Sequence, residues 1–366
     1  MRDTEHYIGI MSGTSLDGID AVLVATDGRR IELKGSASAP IEPLLRERLL
    51  ALASGAAITA QAWGELDVAL GQAYAGATLQ LLAGTGMQAG DIHAIGCHGQ
   101  TVWHQPDAGL PFSLQLGDGN RIAALTGITT ITDFRRKDMA LGGQGAPLVP
   151  AFHQQVLGHP ERLRVVVNIG GIANITVLAP GRPVQGYDVG PGNMLMDLWC
   201  RQHTGAPFDK DAALAQTGRV LPDLLARLLN EPWLALPAPK STGRELFNEA
   251  WLQAHLTGHE AVADVQATLA EFTAAAIAQQ VHPLTASELL VCGGGGHNPL
   301  LMARLAALLP GWQVTTTTQA GVDMDAMEAM AFAWLAHQTL HRLPGNLPET
   351  TGATRPAVLG AVHFPD

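Results

Sequence analysis

The fold is decided by residues 7–20, which read YIGIMSGTSLDGID. The apolar segments 7–11 and 19–25 flank a turn of Gly, Ser, Thr and Asp, and this pattern predicts two strands joined as a hairpin. A tight hairpin turn needs two residues, whereas residues 12–18 give this turn seven. Glycine lets a ligand approach the backbone closely, and successive N–H groups with hydroxyls form a concave anion site. The stretch therefore predicts a hairpin loop that holds phosphate.

The rest of the chain extends this beginning and then repeats it. Three strands are predicted over residues 7–38, and helical and strand patterns alternate after them. The second half begins in the same way, with strands predicted at 164–169, 173–178 and 183–188. A long helix is predicted at 324–342, near the end of the chain. This order of elements predicts an α/β protein in which one structural pattern occurs twice.

Composition excludes several classes of protein. The chain has 366 residues, which is enough for two domains, and its 47% hydrophobic and 15% charged residues fit well-buried cores. The 41 glycines are not periodic, which excludes a collagen-like chain. The net charge is −11 and no basic stripe is present, so we expect no nucleic-acid partner.

Cysteine usage and hydropathy predict the compartment. Cys97, Cys200 and Cys292 are odd in number and far apart, and no CxxC occurs, so neither a disulfide framework nor a zinc cluster is predicted. Residues 1–6 are too polar for a signal peptide, and no apolar run reaches membrane-spanning length. We therefore expect a cytoplasmic protein that does not associate with a membrane.

Two further glycine-containing loops are candidates for binding a nucleotide. Neither GxxxxGK[ST] nor GxGxxG occurs, so any phosphate would be held by hairpins. Residues 168–174, NIGGIAN, fit a second phosphate hairpin and a simple tight turn equally well. Residues 291–299, VCGGGGHNP, follow a strand and open a helix. Because consecutive glycines are costly to order, we interpret this run as a backbone surface against which a base or ribose lies.

One carboxylate stands where a catalytic base is expected. Residues 186–193, GYDVGPGN, end a predicted strand and enter a helix, and Asp188 lies at the strand end. The residue could simply cap the turn. Because strand ends in a cleft are typical places for a general base, we favour a catalytic role for Asp188.

Two polar segments and one acidic residue are candidates for contacts with a substrate. Residues 96–104 place His98 close to an aromatic residue, and Arg135 lies in the cationic segment 133–147. Arginine binds carboxylates through two parallel hydrogen bonds. The alternative interpretations are that His98 and His104 are simply hydrogen-bonded within the protein and that the cationic segment is a charge run exposed to solvent. On the predicted helix 324–342, Glu328 is the residue that we place in the cleft.

The combination of these motifs resembles one family. The stretches GIMSGTSLDGID, GCHGQTVWH, DFRRKDMALGGQGAPLVP, NIGGIANIT, GYDVGPGNMLMD, CGGGGHNPLLM and DAMEAMAF occur in this order over nearly the whole chain. Together they resemble the anhydro-N-acetylmuramic acid kinases. These enzymes hydrolyse the 1,6-anhydro bond of 1,6-anhydro-N-acetylmuramic acid and phosphorylate O6, giving N-acetylmuramic acid 6-phosphate in peptidoglycan recycling.

The resemblance implies the fold and the site. It implies the sugar kinase–actin–Hsp70 superfold, with an ATP cleft between residues 1–133 plus about 343–366 and residues 134–342, and it implies a homodimer that uses ATP and Mg²⁺. Asp188 would be the catalytic base. The sugar would contact His98, Arg135, Gly190, Asn193 and Glu328. ATP would contact Ser12, Gly13, Thr14, Ser15, Leu16, Asp17, Gly18, Ile19, Asp20, Asn168, Gly170, Gly171, Gly293, Gly294, Gly295 and Asn298.

The metal ligands do not follow from the resemblance. The wider superfamily usually carries an Asp in each phosphate loop, where this chain has Met11 and Asn168. Asp17, Asp20 and Asp188 are all candidates to hold Mg²⁺ through water, and the sequence does not choose among them.

Two other classes of function predict different behaviour. An actin- or Hsp70-like nucleotide switch would bind protein partners, whereas the polar segments around His98 and Arg135 favour a small substrate. A serine hydrolase would use Ser15 as its nucleophile. The GxSxG elbow requires a glycine where this chain has Asp17, and it leads into a helix, whereas a strand is predicted to follow here.

Overall fold

The computed structural model describes residues 4–13, 16, 18–28, 30–238 and 240–366. The chain forms two compact units: unit 1 comprises Met1–Val156 and Ala326–Asp366, and unit 2 comprises Leu157–Asp325. The strands are β1 (Glu5–Met11), β2 (Ile19–Thr26), β3 (Ile31–Ala39), β4 (Ala94–Cys97), β5 (Gln100–Gln105), β6 (Phe112–Leu116), β7 (Thr130–Thr132), β8 (Arg164–Ile169), β9 (Ile172–Leu178), β10 (Gln185–Pro191), β11 (Glu288–Cys292), β12 (Gln313–Thr316) and β13 (Ala361–His363).

The helices are α1 (Pro43–Ala53), α2 (Ala60–Thr85), α3 (Gly119–Thr126), α4 (Arg136–Met139), α5 (Val149–Leu157), α6 (Met194–Thr204), α7 (Pro222–Leu229), α8 (Glu249–His255), α9 (Val262–Val281), α10 (Pro299–Leu308), α11 (Met327–Leu340) and α12 (Pro348–Thr351). Short 3₁₀ turns lie at Ala89–Asp91, Lys210–Ala212, Ala215–Thr217, Pro232–Ala235, Gly294–His297 and Thr317–Ala320.

Local sequence explains where several helices begin and end. The Thr59 hydroxyl accepts the N–H of Ala62 and caps α2, which ends at Gly86 with a φ of 73°. Such a left-handed residue is the common helix stop, and glycine adopts it without strain. At α10, Asn298 accepts the N–H of Leu301, and a proline occupies the first turn. The helix predicted at 324–342 is present as α11, and its two ends lie three and two residues inside the predicted bounds.

The sheet of unit 1 has the strand order β13-β7-β4-β1-β2-β3. Strand β2 runs antiparallel to both β1 and β3, whereas β4 pairs parallel with β1 and β7 pairs parallel with β4. The short pair β5–β6 forms a separate antiparallel ribbon, and β5 was not predicted from the sequence.

The sheet of unit 2 has the order β10-β9-β8-β11-β12. Here too the first three strands, β8, β9 and β10, are antiparallel, and β11 and β12 are added in parallel. The core strands of the two sheets therefore share one order and one pattern of directions. Every residue of β11 is buried, as expected for a central parallel strand covered on both faces. The predicted α/β class and the predicted internal repeat are confirmed.

Helix α11 lies directly on the sheet of unit 1. A Cβ added to Gly9 of β1 would stand 1.8 Å from the carbonyl oxygen of Ala329, and one added to Gly96 of β4 would stand 2.0 Å from that of Phe332. The helix backbone therefore packs against the strand backbones at two positions that only glycine can occupy. This close packing fixes where the residues of α11 lie.

The compact units divide the chain differently from the predicted domains. Residues 134–156 and 326–342, which were predicted in the second domain, lie in unit 1. Residues 326–342 belong to unit 1 because α11 packs on β1 and β4. Hydrogen bonds from Arg135 to His98 help to hold the first range in unit 1. The assignment of ATP and sugar contacts to each domain stays a prediction.

The three cysteines are free thiols, and all are buried. Among the described residues, no helix combines the length and the apolar character needed to cross a membrane.

Candidate active site

The predicted phosphate loop connects β1 and β2, with Met11 opposite Asp20 in the register. The structure describes its residues 12, 13, 16 and 18, and the predicted contacts Thr14, Ser15 and Asp17 lie outside the described residues. Leu16 has a φ of 56°, and its side chain is buried in the core of unit 1. Its N–H donates to the Gly13 carbonyl at 3.1 Å, and its carbonyl accepts from Arg46 Nε at 2.9 Å. One apolar anchor and one cation therefore fix the described part of the loop.

The Ser12 side chain forms its hydrogen bonds within the protein interior. Its hydroxyl donates to Gln100 Oε1 at 2.9 Å and lies 2.7 Å from the Tyr74 hydroxyl, which is then the donor. All three side chains are buried. A contact of Ser12 with phosphate would therefore use its backbone N–H. Tyr74 and Gln100 were not found from the sequence, because a lone Tyr inside a helix carries no motif.

The flanking residues of this loop differ in exposure. Ile19 is 1% exposed and belongs to the core, whereas the Asp20 side chain is exposed to solvent. Of these two predicted ATP contacts, only Asp20 presents a side chain to a ligand. The predicted contacts of this loop with ATP stay predictions.

The three sugar-binding residues predicted in unit 1 lie together. Arg135 donates to His98 Nε2 from Nε at 3.2 Å and from Nη2 at 2.8 Å, and its Nη1 donates to the Gly145 carbonyl at 2.8 Å. Burial lowers the pKa of Arg135 to about 10, while Glu328 and Asp138 oppose this change. Because His98 Nε2 accepts these bonds, its imidazole is neutral, and burial followed by the Arg135 charge holds its pKa well below 6.5.

Glu328 faces this cation from the first turn of α11. Burial raises the pKa of its carboxyl, and the Arg135 charge counteracts the rise. Asp20 adds a second negative charge near Glu328. The cluster therefore combines one guanidinium, one neutral imidazole and two carboxylates, a set that suits a polar substrate carrying both hydroxyls and an acid.

A buried carboxylate that the sequence did not single out holds the Arg135 segment in place. Asp138 is fully buried and accepts from the Gly145 N–H at 2.8 Å, from Asn346 Nδ2 at 2.6 Å and from the Thr351 hydroxyl at 2.7 Å. The bond to Asn346 spans 208 residues of sequence. Such long-range partners leave no local signal, which is why Asp138 was visible in the sequence only as part of a charge run.

In unit 2, the predicted second hairpin has a two-residue turn, Gly170-Gly171, between β8 and β9. The N–H groups of Gly192 and Asn193 donate to the carbonyls of Gly171 and Gly170, both at 2.8 Å. Asn193 Nδ2 also donates to the Ile169 carbonyl at 3.0 Å. Asn193, predicted to contact the sugar, therefore also holds the hairpin turn.

The glycine run packs against the same hairpin. A Cβ on Gly293, whose φ is 77°, would lie 2.3 Å from Asn168 Oδ1, and one on Gly295 would lie 2.3 Å from Ile169 Cγ2. These two glycines are required by protein packing. Gly294 is exposed, and an added Cβ there would meet nothing closer than 3.6 Å. Gly294 is therefore the member of the run that leaves backbone open to a ligand, and Asn298 serves as the cap of α10.

Asp188 lies where β10 departs from regular pairing. The register with β9 shifts between Asp188 and Gly190, and Gly190 has a φ of 145°, which an L side chain rarely adopts. Such bulges re-aim side chains next to active sites. Asp188 Oδ2 accepts the Thr242 N–H at 3.0 Å, and the Asp188 N–H donates to the Lys240 carbonyl at 3.0 Å.

The environment of Asp188 prepares it to accept a proton. Burial raises the pKa of Asp188 to about 6, the Thr242 hydrogen bond opposes the rise, and the nearby Glu245 adds to it. A base works best when its pKa is near the working pH. The 240–245 segment that shapes this environment carries no recognisable motif, and the sequence did not indicate it.

The structure thus groups the predicted residues into two clusters, one in each unit. His98, Arg135 and Glu328 lie together with Asp20 in unit 1. In unit 2, the turn Gly170-Gly171 lies next to Asn193. Asn168, in the same hairpin, lies next to Gly293.

Comparisons with known proteins agree with these motifs. A model of the anhydro-N-acetylmuramic acid kinase family matches residues 5–365. A relative from Photobacterium profundum, named anhydro-N-acetylmuramic acid kinase, is 59% identical over 369 residues, covering 98% of each chain. A relative of the same name from Vibrio parahaemolyticus is 58% identical over 367 residues, covering 99% of each chain.

Among solved structures, a ROK family glucokinase from Streptomyces griseus in complex with glucose and AMPPNP aligns with a TM-score of 0.41 and 15% identity, covering 91% of this chain and 99% of its own. An alignment this loose carries no weight for fold or activity. The family model, by contrast, spans nearly the whole chain, and both relatives share more than half of their residues with it. The chain therefore belongs to the anhydro-N-acetylmuramic acid kinase family.

Proposed function

We propose that this chain is an ATP-dependent kinase that converts 1,6-anhydro-N-acetylmuramic acid into N-acetylmuramic acid 6-phosphate. Water adds to C1 of the sugar and the bond from C1 to O6 breaks. O6 then attacks the γ-phosphorus of ATP, and ADP leaves. The product is the 6-phosphate of the opened amino sugar, as peptidoglycan recycling requires.

The observation that supports this proposal is the burial of the Asp188 carboxyl, which raises its pKa. This carboxylate stands beside the bulge in the middle of β10, which continues to Pro191 and does not end at Asp188 as predicted, and burial raises its pKa to about 6. It is therefore ionised at neutral pH, yet basic enough to take a proton from water as the oxygen attacks C1. General base catalysis of this kind contributes about 10²–10⁴-fold to a rate.

The cluster in unit 1 suits the sugar. Arg135 keeps its charge and has a planar guanidinium, so it would bind the lactyl carboxylate or a sugar oxygen. Glu328 would accept a hydrogen bond from a sugar hydroxyl or from the acetamido N–H. His98 fixes the orientation of the Arg135 guanidinium through its Nε2. In unit 2, Asn193 and the backbone at Gly190 would complete the contacts with the sugar.

The loops assigned to ATP act by position and charge. Phosphoryl transfer needs aligned reactants and donors around the phosphates more than it needs reactive side chains. The 12–18 loop would supply backbone N–H groups, held in place by buried Leu16 and by Arg46. The Gly170-Gly171 turn would face the phosphates with its N–H groups, because its carbonyls accept from Gly192 and Asn193. Gly294 would lie against the nucleoside.

Mg²⁺ fits the donors present around the first loop. The ion favours one or two carboxylates together with phosphate oxygens and water. Asp20 offers an exposed carboxylate next to the 12–18 loop, whereas the Met11 thioether at the superfamily position is no ligand for Mg²⁺. Asp20 would therefore hold the ion, which neutralises phosphate charge when it is bound.

The decisive experiment is an assay of phosphate transfer from ATP to the anhydro sugar, with Asp188→Asn as the variant. Asn keeps an oxygen that can accept the Thr242 N–H, so the variant should fold. We expect kcat to fall about 10²–10⁴-fold. Asp223→Asn, which changes an exposed acid on α7, is the matched control and should retain full activity. Full activity in Asp188→Asn would overturn the assignment of the base, and a wild type inactive on the sugar would overturn the function.

The remaining expectations complete the proposal. We expect a cytoplasmic homodimer, because the resemblance to the family implies both. Light scattering coupled to gel filtration measures the state of the protein, and a mass equal to a single chain would contradict the dimer.

A further inference from the structure

Three side chains of unit 1 that the proposed reaction does not use converge at one place. Glu5 lies at the start of β1, while His337 and His341 lie four residues apart at the end of α11. One ligand atom from each side chain lies within 4.8 Å of the other two. Residues four apart share one face of a helix. Because Gly9 brings β1 against α11, this face of the helix meets the strand that carries Glu5.

Hydrogen bonds orient two of the three side chains. The Tyr7 hydroxyl donates to Glu5 Oε2 at 2.6 Å. His337 Nδ1 donates to Gln338 Oε1 at 3.1 Å, and Gln338 Nε2 donates in turn to the Pro344 carbonyl at 2.9 Å. The second bond fixes which way the amide points, so the lone pair of the His337 ring is on Nε2. In metal sites, the ring nitrogen of a histidine that does not bind the metal typically donates a hydrogen bond of this kind.

The third side chain is already paired with the carboxylate. His341 Nε2 lies 2.8 Å from Glu5 Oε2 and 3.1 Å from Oε1. In a tetrahedral zinc site the ligand atoms are about 3.3 Å apart, as follows from metal–ligand distances of about 2.0–2.2 Å. The side chains of Glu5 and His341 are 23% and 38% exposed, so small side-chain rotations can bring the three atoms to this spacing.

The position on the helix also favours a cation. His341 is the C-terminal cap of α11, and its N–H donates to the His337 carbonyl. The carboxyl end of a helix carries partial negative charge. His337 lies nine positions after Glu328, which is about 13.5 Å along the helix axis at 1.5 Å per residue. The group is therefore distinct from the sugar-binding cluster.

We propose that Glu5, His337 and His341 form a binding site for a zinc-like divalent cation, with a fourth position open to water. Binding replaces the hydrogen bond between His341 Nε2 and Glu5 by bonds from both to the metal, and His341 then carries its proton on Nδ1 as a neutral imidazole. The ion would join the first strand of the chain to the end of α11. Nitrogen ligands select Zn²⁺ over Mg²⁺.

The test is a titration of the full-length protein with Zn²⁺ after treatment with EDTA and desalting, in competition with a chromophoric chelator. We expect one equivalent to bind, and Co²⁺ bound at the same place should show visible d–d absorption. His341→Ala and Glu5→Gln should each weaken binding at least tenfold, whereas His282→Ala, which removes an exposed histidine of unit 2, should leave it unchanged. Excess Mg²⁺ should not compete.

Circular dichroism of the metal-free variants verifies their fold, and kinase assays of His341→Ala should match the wild type. Failure of the wild type to bind one equivalent overturns the proposal. Unchanged affinity in both His341→Ala and Glu5→Gln overturns it as well. Neither result bears on Asp188, so the proposed function is tested separately.

Discussion

A carboxylate acts as a base near neutral pH only if its surroundings remove part of its hydration. At Asp188 this is achieved by a bulge and a loop that are distant from each other in sequence. Sequence reasoning chose the residue from its place at a strand end. The environment that tunes it came from the 240–245 segment, which has no motif. At the scale of single residues, identity was therefore predictable and environment was not.

The raised pKa of Asp188 has two consequences with opposite signs. Activity should fall about tenfold per pH unit below pH 6, because the base must be ionised. Stability should be greatest when the carboxyl is protonated and should decrease as pH rises from 3.8 to about 6, since the native state binds the proton more tightly. Asp188→Asn should thus gain about 1–2 kcal/mol of stability at pH 8, a value discounted for partial exposure.

The pH dependence of kcat/KM and thermal unfolding at pH 4 and pH 8 measure these effects. An Asp188→Asn variant with the same unfolding free energy as the wild type at pH 8 would contradict the burial cost.

Arg135 is predicted to act through its fork as well as its charge. Arg135→Lys keeps the cation but cannot donate both to His98 and to the Gly145 carbonyl in the same geometry. We expect KM for the sugar to rise about tenfold, the effect of losing about 1.4 kcal/mol, with KM for ATP unchanged. Arg136→Lys is the matched control, because Arg136 is exposed and pairs with Asp133. Equal KM values in the two variants would argue against a sugar contact by Arg135.

At the scale of elements, periodicity predicted most helices and strands correctly, because long apolar patterns are local. The ribbon strand β5 was missed, since its polar residues do not alternate clearly with apolar ones. The roles of the glycines were predictable only in part. Their number indicated ligand contacts, whereas Gly9, Gly96, Gly293 and Gly295 serve close packing of the protein itself. A sequence does not distinguish a glycine that admits a ligand from one that admits another backbone.

The contact between β1 and α11 makes a quantitative prediction. Gly9→Ala places a methyl group where the Ala329 carbonyl stands, and overpacking of this kind costs about 1–3 kcal/mol or more. Because α11 carries Glu328, KM for the sugar should rise as well. Gly76→Ala, at an exposed position in α2 with open space around it, should instead stabilise by up to about 1 kcal/mol. Urea unfolding measures both, and a neutral Gly9→Ala would contradict the close packing.

The glycine run offers a matched pair. Gly295→Ala collides with Ile169 and should destabilise unit 2, whereas Gly294→Ala meets only ordinary contacts and should fold normally. If the nucleoside lies against Gly294, the methyl group that Gly294→Ala adds should raise KM for ATP severalfold while KM for the sugar stays constant. Unchanged ATP kinetics in Gly294→Ala would remove this glycine from the nucleotide site.

At the scale of the whole molecule, the two sheets share the strand order and directions of their core strands. The repeat was predicted from the recurrence of strand, glycine turn and strand. The predicted boundaries at 134 and 343 differ from the compact units, because α11 returns to the first sheet although it follows the second in sequence. Long-range returns of this kind depend on packing partners, which a single sequence does not show.

Unit 2 is one continuous segment, so it should fold as an isolated chain. Residues 157–325 contain the whole β10-β9-β8-β11-β12 sheet with its own core. We expect this fragment to unfold cooperatively in urea and to lack kinase activity. A shorter fragment, 157–287, lacks both β11, which pairs with β8 inside the sheet, and β12, and should not fold. Equal behaviour of the two fragments, by circular dichroism and urea melts, would contradict the independence of the unit.

The backbone-to-backbone fit at Gly9 and Gly96 also bears on how members of the family can exchange parts. Where side chains interlock, a chimera of two parents mismatches at the junction, because each parent has adjusted its own set of residues. At these two glycines the strands contribute no side chains to the fit, so α11 of one parent can settle there on β1 and β4 of another, provided that the Tyr7–His337 and Glu5–His341 side-chain contacts are kept. Crossover points between residues 97 and 326 should therefore be unusually permissive for recombining relatives at this contact.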